Sequence, residues 1–291
     1  MNTIKTVGVV GCGTMGTGIA IVVARAGYKL RAYDTRAELA EQGRRQAAAF
    51  LRKSVERGKL AAGQDEAILA NWHASNDIES LADCDIIIEA VFEDIQVKHE
   101  LFRKLNQICA PHTLFASNTS TLSITEIAGG SGRDTKVVGM HFCLPAQLMK
   151  LVEVSPGLNT SREALEQAWA FCEALGQQPV LTRDTPGFIL NYFLVPWHND
   201  VINMVDQGVA EPADIDLAVK TALGYPLGPL TLLDMVGMDT QKLLCEALHG
   251  STHEPRAACP PLVKRMIGAG RLGRKSGAGF HRYDNDKIFG A

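Results

Sequence analysis

A glycine-rich segment near the N-terminus has the spacing of a phosphate-binding turn. The sequence GCGTMG at 11–16 has the form G-x-G-x-x-G and follows the β-rich apolar residues 4–10. The first glycine of such a segment permits a tight turn, the second lets the backbone approach a pyrophosphate, and the third allows a helix to pack closely on a strand. Backbone N–H groups at the helix start then face the phosphates. The segment therefore predicts a dinucleotide site formed by Gly11, Gly13, Thr14, Met15 and Gly16.

Asp34 ends the second predicted strand, Lys29–Tyr33. A carboxylate at this position accepts hydrogen bonds from the adenosine ribose hydroxyls and repels a 2′-phosphate, which favours NAD over NADP. Arg31 and Arg36 are close enough in sequence to weaken that preference. NAD is therefore the predicted cofactor.

A second group of polar residues has the composition of a proton-transfer site. Residues 117–120, SNTS, precede His141 and Glu153, and each of these positions follows a predicted strand or lies at its end. Ligands of a doubly wound sheet bind outside the carboxyl ends of its strands, so we expect these side chains to converge. An imidazole can take a hydroxyl proton near neutral pH while a nicotinamide takes the hydride. A carboxylate on its other ring nitrogen would fix the tautomer, and His141 and Glu153 supply that pair.

The elements that position these residues follow from the hydrophobic pattern. Predicted strands at 4–10, 29–33, 86–90, 113–116, 137–141 and 151–154 alternate with helices at 19–26, 96–110 and 124–128. This alternation predicts an α/β fold: a Rossmann-type, doubly wound, largely parallel sheet. Residues 38–71 have helical spacing interrupted near Gly58 and Gly63, which indicates an inserted helical hairpin. Past residue 184 only helical patterns remain, so we expect a NAD-binding domain at 1–184 and an all-α C-terminal domain at 185–291.

Composition excludes several classes of protein. With 29 Lys and Arg against 32 Asp and Glu, the net charge of −3 argues against nucleic acids and membranes as partners. The seven cysteines form no CxxC pair, which suits reduced thiols and a cytoplasmic location. No metal site is expected, because His249 and His253 have no convincing third ligand and are interpreted as part of a polar loop.

The chain resembles the 3-hydroxyacyl-CoA dehydrogenase family, in particular its stand-alone bacterial 3-hydroxybutyryl-CoA dehydrogenases. The likeness covers nearly the whole length and is carried by blocks in the family order: GCGTMGTGIA, EAVFEDIQVKHELF, ASNTSTLSITEIA, MKLVEV, RDTPGFILN, ALGYPLGPLTLLDMVGMDT and AGRLGRKSGAGF. Such an ordered set is far more specific than G-x-G-x-x-G alone.

The resemblance implies roles for individual residues. His141 matches the family's catalytic base and Glu153 its carboxylate partner, while Ser120 and Asn191 match residues that contact the reacting oxygen or orient the substrate. Further matches fall near the cofactor (Glu93, Lys98 and Lys275) and on the hairpin that helps to hold coenzyme A (Lys53, Arg57 and Lys59). The resemblance also implies a homodimer built on the C-terminal domain, and a role in fatty acid β-oxidation.

Four positions depart from the family pattern. The family commonly reads HFFNP where this chain has HFCLP at 141–145, so Cys143 replaces an aromatic residue and Leu144 an asparagine. Gln147 and Tyr192 also differ from the usual residues. These departures indicate either an altered acyl pocket or neutral changes compensated elsewhere.

The leading hypothesis is reversible, NAD-dependent oxidation of an (S)-3-hydroxyacyl-CoA to the 3-oxoacyl-CoA. One alternative is a dehydrogenase of a branched, dicarboxylic or non-CoA hydroxy acid. Another is a NAD-binding homologue with weak catalysis.

Overall fold

The computed structural model describes residues 4–283, and a mostly parallel sheet forms the centre of its first unit. Its eight strands are ordered β3-β2-β1-β4-β5-β6-β7-β8. They are β1 Thr6–Val10, β2 Lys29–Tyr33, β3 Trp72–Ser75, β4 Ile86–Glu89, β5 Leu114–Ser117, β6 Val137–Phe142, β7 Leu151–Pro156 and β8 Gln178–Leu181. Neighbouring strands pair in parallel except β6 with β7. The strand order reverses between β1 and β4, where a doubly wound sheet binds its ligand.

Central strands of the sheet are buried along their whole length. Strands β1, β4 and β5 are continuous short runs of buried residues, as expected of parallel strands covered on both faces by helices. The covering helices are α1 Thr14–Arg25, α2 Ala37–Glu56, α3 Gln64–Ala70, α4 Ile95–Ile108, α5 Ile124–Gly129 and α6 Arg162–Ala174. The predicted doubly wound α/β fold is confirmed.

The inserted hairpin is present as α2 and α3. Between the two helices Gly58 and Gly63 adopt positive φ angles of 68° and 81°, a region that favours glycine. Helix α1 begins at Thr14, earlier than the predicted start at Ile19, because it follows the glycine loop directly.

Two strands of the first unit lack a strong sequence signal. Strands β3 and β8 lie at the two edges of the sheet, and only Trp72 among their residues is buried, so neither shows an apolar run. Helix α6 does have a usable signal, because Ser161 caps it by accepting a hydrogen bond from the N–H of Ala164 at 3.1 Å.

The chain divides between Phe188 and Ile189. The change in sequence pattern predicts a boundary near Asp184, but this carboxylate is bonded to the first unit. It accepts hydrogen bonds from the Ser123 hydroxyl at 2.8 Å and from the N–H groups of Ile124 and Thr125 at 2.7 and 2.8 Å. Asp184 therefore fixes the start of α5, and the division falls after it.

The second unit is helical, as predicted. Its helices are α7 Leu190–Asp206, α8 Pro212–Leu223, α9 Pro229–Val236, α10 Met238–Thr252 and α11 Pro261–Gly268. The polar loop predicted around His249 is wrong, because α10 continues through Gly250 to Thr252 and His253 caps it in the left-handed region. Within residues 4–283, no helix has the length and apolar character needed to cross a membrane.

A buried carboxylate anchors the last described segment to the second unit. Asp234 is 1% exposed and accepts hydrogen bonds from the N–H groups of Phe280 and His281 and from the Tyr283 hydroxyl, at 2.8, 2.9 and 2.9 Å. A Cβ on Gly279 would lie 1.9 Å from the Asp234 Oδ1. This approach explains why a glycine stands in the AGF sequence at 278–280.

Replacing Asp234 by alanine is expected to destabilise the protein by about 3 kcal/mol, because three donors would lose a charged acceptor, two of them backbone N–H groups. Urea unfolding followed by circular dichroism measures this change. Asp206→Ala is the control, since Asp206 pairs with Arg265 on the surface and should contribute less than about 1 kcal/mol. Equal effects of the two substitutions would contradict the anchoring role.

Candidate active site

The glycine loop connects the end of β1 to the start of α1 at the point where the strand order reverses. Gly11 has a φ of +92°, and a Cβ on Gly16 would lie 1.7 Å from the Gly11 carbonyl oxygen. A Cβ on Gly13 would meet nothing within 4 Å, so the space beside this residue is open. Helix α1 begins at Thr14 without a side-chain cap. An open loop in front of a helix N-terminus fits the pyrophosphate of NAD.

Asp34 is fixed beside this loop at the end of β2. Its Oδ2 accepts a hydrogen bond from the N–H of Cys12 at 2.9 Å, and its Oδ1 accepts one from the N–H of Arg36 at 3.1 Å. Arg31, which the sequence placed as a possible competitor, instead pairs with Asp83 at 3.0 Å. The negative charge of Asp34 thus faces fewer basic groups than the sequence suggested.

Replacing Asp34 by asparagine is expected to lower the preference for NADH over NADPH by about tenfold or more, a change of about 1.4 kcal/mol. Asparagine keeps an acceptor for the loop but removes the charge that repels a 2′-phosphate. The ratio of kcat/KM for the two cofactors measures the effect, with the exposed Glu38→Gln as control. An unchanged ratio would show that Asp34 does not select the cofactor.

His141 and Glu153 face each other across the antiparallel pair β6 and β7. The register places them directly opposite, and the His141 Nδ1 lies 2.7 Å from the Glu153 Oε2. Glu153 is fully buried and His141 is 8% exposed. The strand pattern predicts convergence at strand carboxyl ends, whereas Glu153 lies inside β7. The antiparallel register, which puts opposite side chains on the same face, brings the pair together.

The contact with Glu153 defines the protonation of the imidazole. A carboxylate can only accept a hydrogen bond, so the His141 Nδ1 carries the proton and the Nε2 keeps its lone pair. The Nε2 lies 3.1 Å from the Ser120 Oγ. The geometry of His141 is therefore that of a base whose unprotonated Nε2 faces the Ser120 hydroxyl.

Glu93 holds the loop that carries Ser120. Its Oε1 accepts hydrogen bonds from the Ser120 N–H at 2.7 Å, from the Thr121 N–H at 2.9 Å, and from the hydroxyls of Thr119 and Thr121 at 2.6 and 3.1 Å. Burial raises the pKa of Glu93, but the charge of Lys98 and these hydrogen bonds outweigh burial and lower it below its ordinary value. Glu93 is therefore an ionised acceptor at neutral pH.

Lys98 is buried behind Glu93 and not exposed toward solvent. Its Nζ lies 2.6 Å from the Glu89 Oε1 and 3.3 Å from the Glu93 Oε2, and its side chain is 1% exposed. The cofactor contacts expected of Glu93 and Lys98 stay predictions. Sequence reasoning missed Glu89, although a glutamate ending the buried strand IIIE is itself a signal, since a fully buried carboxylate needs partners.

Two cysteines near these loops are poor nucleophiles. Burial, followed by the charge of Asp34, raises the pKa of Cys12 to about 12. Burial, followed by the charge of Glu153, raises the pKa of Cys143 to about 11. Both thiols are protonated at neutral pH, so neither supplies a reactive thiolate.

The residues that depart from the family pattern have different surroundings. Leu144 is 51% exposed and precedes Pro145 through a cis peptide bond. The Gln147 Oε1 lies 2.6 Å from the position that a Cβ on Gly18 would occupy. The structure thus packs the Gln147 side chain on helix α1, while Leu144 presents an apolar side chain to the surface of the first unit.

The remaining predicted residues lie away from this cluster or in the second unit. Asn191 is in the first turn of α7, followed by the exposed Tyr192. Lys275 is held by both oxygens of Asp239 at 2.5 and 2.6 Å. The basic residues proposed for coenzyme A are exposed at the end of the first hairpin helix and after it: Lys53, Arg57 and Lys59. Their roles stay predictions.

The arrangement favours proton transfer to and from an alcohol oxygen. Ser120, His141 and Glu153 stand in the order of a hydrolase triad, but an acyl-transfer site also needs free N–H donors for an oxyanion. The N–H groups of Ser120 and Thr121 both donate to Glu93, so this loop does not offer them. Residues 4–283 contain no cluster of three His, Cys, Asp or Glu side chains that could hold a metal ion. A base in the same unit as a dinucleotide loop is typical of a dehydrogenase.

Comparison with known proteins gives the same result. The family model for the NAD-binding domain of 3-hydroxyacyl-CoA dehydrogenase matches residues 6–185, and the model for the C-terminal domain matches 187–283. A probable 3-hydroxybutyryl-CoA dehydrogenase of Deinococcus radiodurans is 42% identical over 95% of this chain and 99% of its own length. One from Bacillus subtilis is 41% identical over 97% and 98%. The crystal structure of (S)-3-hydroxybutyryl-CoA dehydrogenase from Ralstonia eutropha is 34% identical, covers 97% of this chain and 100% of its own, and has a TM-score of 0.92.

Proposed function

Because the chain belongs to the 3-hydroxyacyl-CoA dehydrogenase family, we propose that it interconverts (S)-3-hydroxyacyl-CoA and 3-oxoacyl-CoA with His141 as the general base. It is an NAD-dependent oxidoreductase. The observation that carries the catalytic assignment is the line of contacts from Glu153 through His141 to Ser120, in the same unit as the dinucleotide loop.

In the oxidation direction the His141 Nε2 takes the proton of the C3 hydroxyl. Glu153 keeps the opposite nitrogen protonated and stabilises the imidazolium that forms. NAD held by the glycine loop and Asp34 would supply the acceptor for the C3 hydrogen and its electron pair. In the reverse direction the imidazolium returns its proton to the oxygen of the 3-oxo group, so the same pair serves both directions.

Ser120 lies where it can share the reacting oxygen with His141. Its hydroxyl is 3.1 Å from the Nε2, and Glu93 fixes its backbone. A hydroxyl at this position can donate to a carbonyl oxygen or to a developing alkoxide. We assign the same kind of contact to Asn191 on the basis of its family block.

Coenzyme A is the proposed carrier of the acyl group. The exposed residues Lys53, Arg57 and Lys59 give the inserted hairpin a basic end that suits phosphate groups. The 42% and 41% identical relatives are both named for a 3-hydroxybutyryl-CoA substrate, which supports a short, straight acyl chain here as well.

A changed acyl preference is the second candidate. Leu144 replaces a polar family residue and is half exposed beside the catalytic strand β6, so it can alter the surface that the acyl chain meets. A longer, branched or dicarboxylic chain would then be preferred.

Initial rates of NADH oxidation with a panel of 3-oxoacyl-CoA esters distinguish these candidates. The panel runs from acetoacetyl-CoA to longer, branched and dicarboxylic chains, and includes free acetoacetate. The proposal predicts the highest kcat/KM with acetoacetyl-CoA and negligible turnover of the free acid. A maximum on another ester that moves to acetoacetyl-CoA in Leu144→Asn would support the second candidate, and turnover of the free acid alone would overturn both.

We also propose a homodimer built on the second unit, acting in the cytoplasm and in fatty acid β-oxidation. The second unit exposes large apolar side chains of the kind that partner subunits cover: Phe193, Leu217, Leu223 and Leu243. Light scattering at micromolar concentration should give twice the 31.5 kDa chain mass. The mass of a single chain would contradict the dimer.

A further inference from the structure

The catalytic scheme gives no role to the buried carboxylate of Glu89. This residue ends β4 and is paired in register with Val10 on β1 and Ser117 on β5. It is fully buried, and the three residues before it in the strand are isoleucines. Glu89 therefore lies at the end of a central strand, where the strand order reverses. The loops that follow the neighbouring strands carry the glycine turn and Ser120.

Each oxygen of Glu89 has a hydrogen-bond donor. The Oε1 accepts from the Lys98 Nζ at 2.6 Å and from the Val91 N–H at 2.8 Å, and the Oε2 accepts from the Ser117 hydroxyl at 2.6 Å. Two of these donors belong to side chains that are themselves buried. Burying a charge is costly unless it is paired, and apolar residues would fill the same volume. By this comparison the buried pair is weak evidence for a stabilising role, and its contacts toward the Ser120 loop point to another role.

Two chains of contacts lead from Glu89 to the Ser120 loop. Along the first, the Ser117 hydroxyl donates to Glu89 and accepts from the Thr119 N–H at 3.3 Å. Along the second, Lys98 joins Glu89 to Glu93, and Glu93 accepts from the Ser120 N–H at 2.7 Å. Glu89 thus supports the Ser120 loop through both chains of contacts, and loss of its carboxylate would weaken both.

We propose that Glu89 is a positioning residue of the reaction. It fixes Ser117 directly and Glu93 through Lys98, and so sets the Ser120 hydroxyl at its 3.1 Å distance from the His141 Nε2. Glu89 reaches neither the substrate nor the cofactor in this scheme. The inference rests on the proposed function of His141 and Ser120.

Glu89→Gln tests the proposal with little change of volume. The amide oxygen can still accept from Lys98 and Val91, but the amide nitrogen cannot accept from the Ser117 hydroxyl, and the charge that holds Lys98 is lost. We expect kcat with acetoacetyl-CoA to fall by about tenfold or more, with KM for both substrates changed by less than about threefold. The isotope effect on kcat with NADH deuterated in both C4 positions should rise, because the chemical step becomes slower than product release.

Asp85→Asn is the matched control. Asp85 precedes the same strand at its opposite end and accepts hydrogen bonds from the N–H groups of Lys5 and Thr6 at 2.7 and 3.0 Å. Its loss removes a structural carboxylate far from Ser120 along β4, so kcat and the isotope effect should stay at wild-type values even if the melting temperature falls.

Ser117→Ala keeps the test decisive if Glu89→Gln does not fold, because it interrupts the first chain without changing the buried charge. A lowered kcat with unchanged KM in this variant supports the proposal. Wild-type kcat and isotope effect in folded Glu89→Gln, or in Ser117→Ala where the former does not fold, would overturn it. Wild-type enzyme that fails to turn over any ester of the panel would instead refute the proposed function, so the two failures are distinguishable.

Discussion

His141→Ala should lower kcat for the reduction of acetoacetyl-CoA by about 10²- to 10⁴-fold, the usual contribution of a general acid or base. The substitution removes the imidazole at the centre of the contact line, while the glycine loop and Asp34 remain in place. Binding of NADH, followed by fluorescence titration, should therefore change little. Steady-state rates with saturating NADH measure the loss.

His73→Ala is the control for this substitution. His73 is an exposed histidine on the edge strand β3 of the same sheet, so its removal should leave kcat within about twofold of wild type. A His141→Ala enzyme with near-normal kcat, or one that has lost NADH binding to the same extent as turnover, would show that His141 is not the base.

Glu153→Gln is also expected to lower kcat by about 10²- to 10⁴-fold, the same range as for His141→Ala. Glutamine has nearly the same shape, but its amide can donate a hydrogen bond to the His141 Nδ1. That contact favours the tautomer with a proton on the Nε2, which then cannot accept the hydroxyl proton. The buried carboxylate that stabilises the imidazolium is also lost. KM for NADH should stay near its wild-type value.

Glu166→Gln serves as the control for Glu153, since Glu166 forms a surface ion pair with Arg162 on α6. Its kcat should equal that of wild type. Thermal unfolding separates the chemical effect of Glu153→Gln from a loss of fold. A folded Glu153→Gln enzyme that keeps more than about a third of wild-type kcat would contradict the assigned role.

Local patterns in the sequence predicted much of the fold. The glycine spacing, the alternation of strands and helices, and the hairpin around Gly58 and Gly63 all depend on short stretches of chain, and the structure contains them. Edge strands β3 and β8 were not predicted because their residues are mostly exposed and lack an apolar run. The predicted start of α1 is too late, because a glycine-rich segment gives no clear signal for the first residue of a helix.

The candidate site was predicted in its residues but not in its geometry. His141 and Glu153 were paired on chemical grounds, yet their contact arises from the antiparallel register of β6 and β7, which no local pattern specifies. The sequence pattern suggests that Lys98 is a surface charge on an amphipathic helix. It is instead buried in an ion pair with Glu89, which ends an apolar strand. Such contacts join residues that are distant in sequence, so they can be predicted only when the strand order is known.

Transfer of deuterium to acetoacetyl-CoA from NADH that carries deuterium in both C4 positions tests the central claim most directly. Mass spectrometry of product fragments identifies the carbon that receives the label, and chiral analysis gives the configuration at C3. The account predicts (S)-3-hydroxybutyryl-CoA with one deuterium at C3 from wild-type enzyme, and product formation slowed by about 10²-fold or more in His141→Ala. Unlabelled product, label at another carbon, or equal rates in the two enzymes would contradict it.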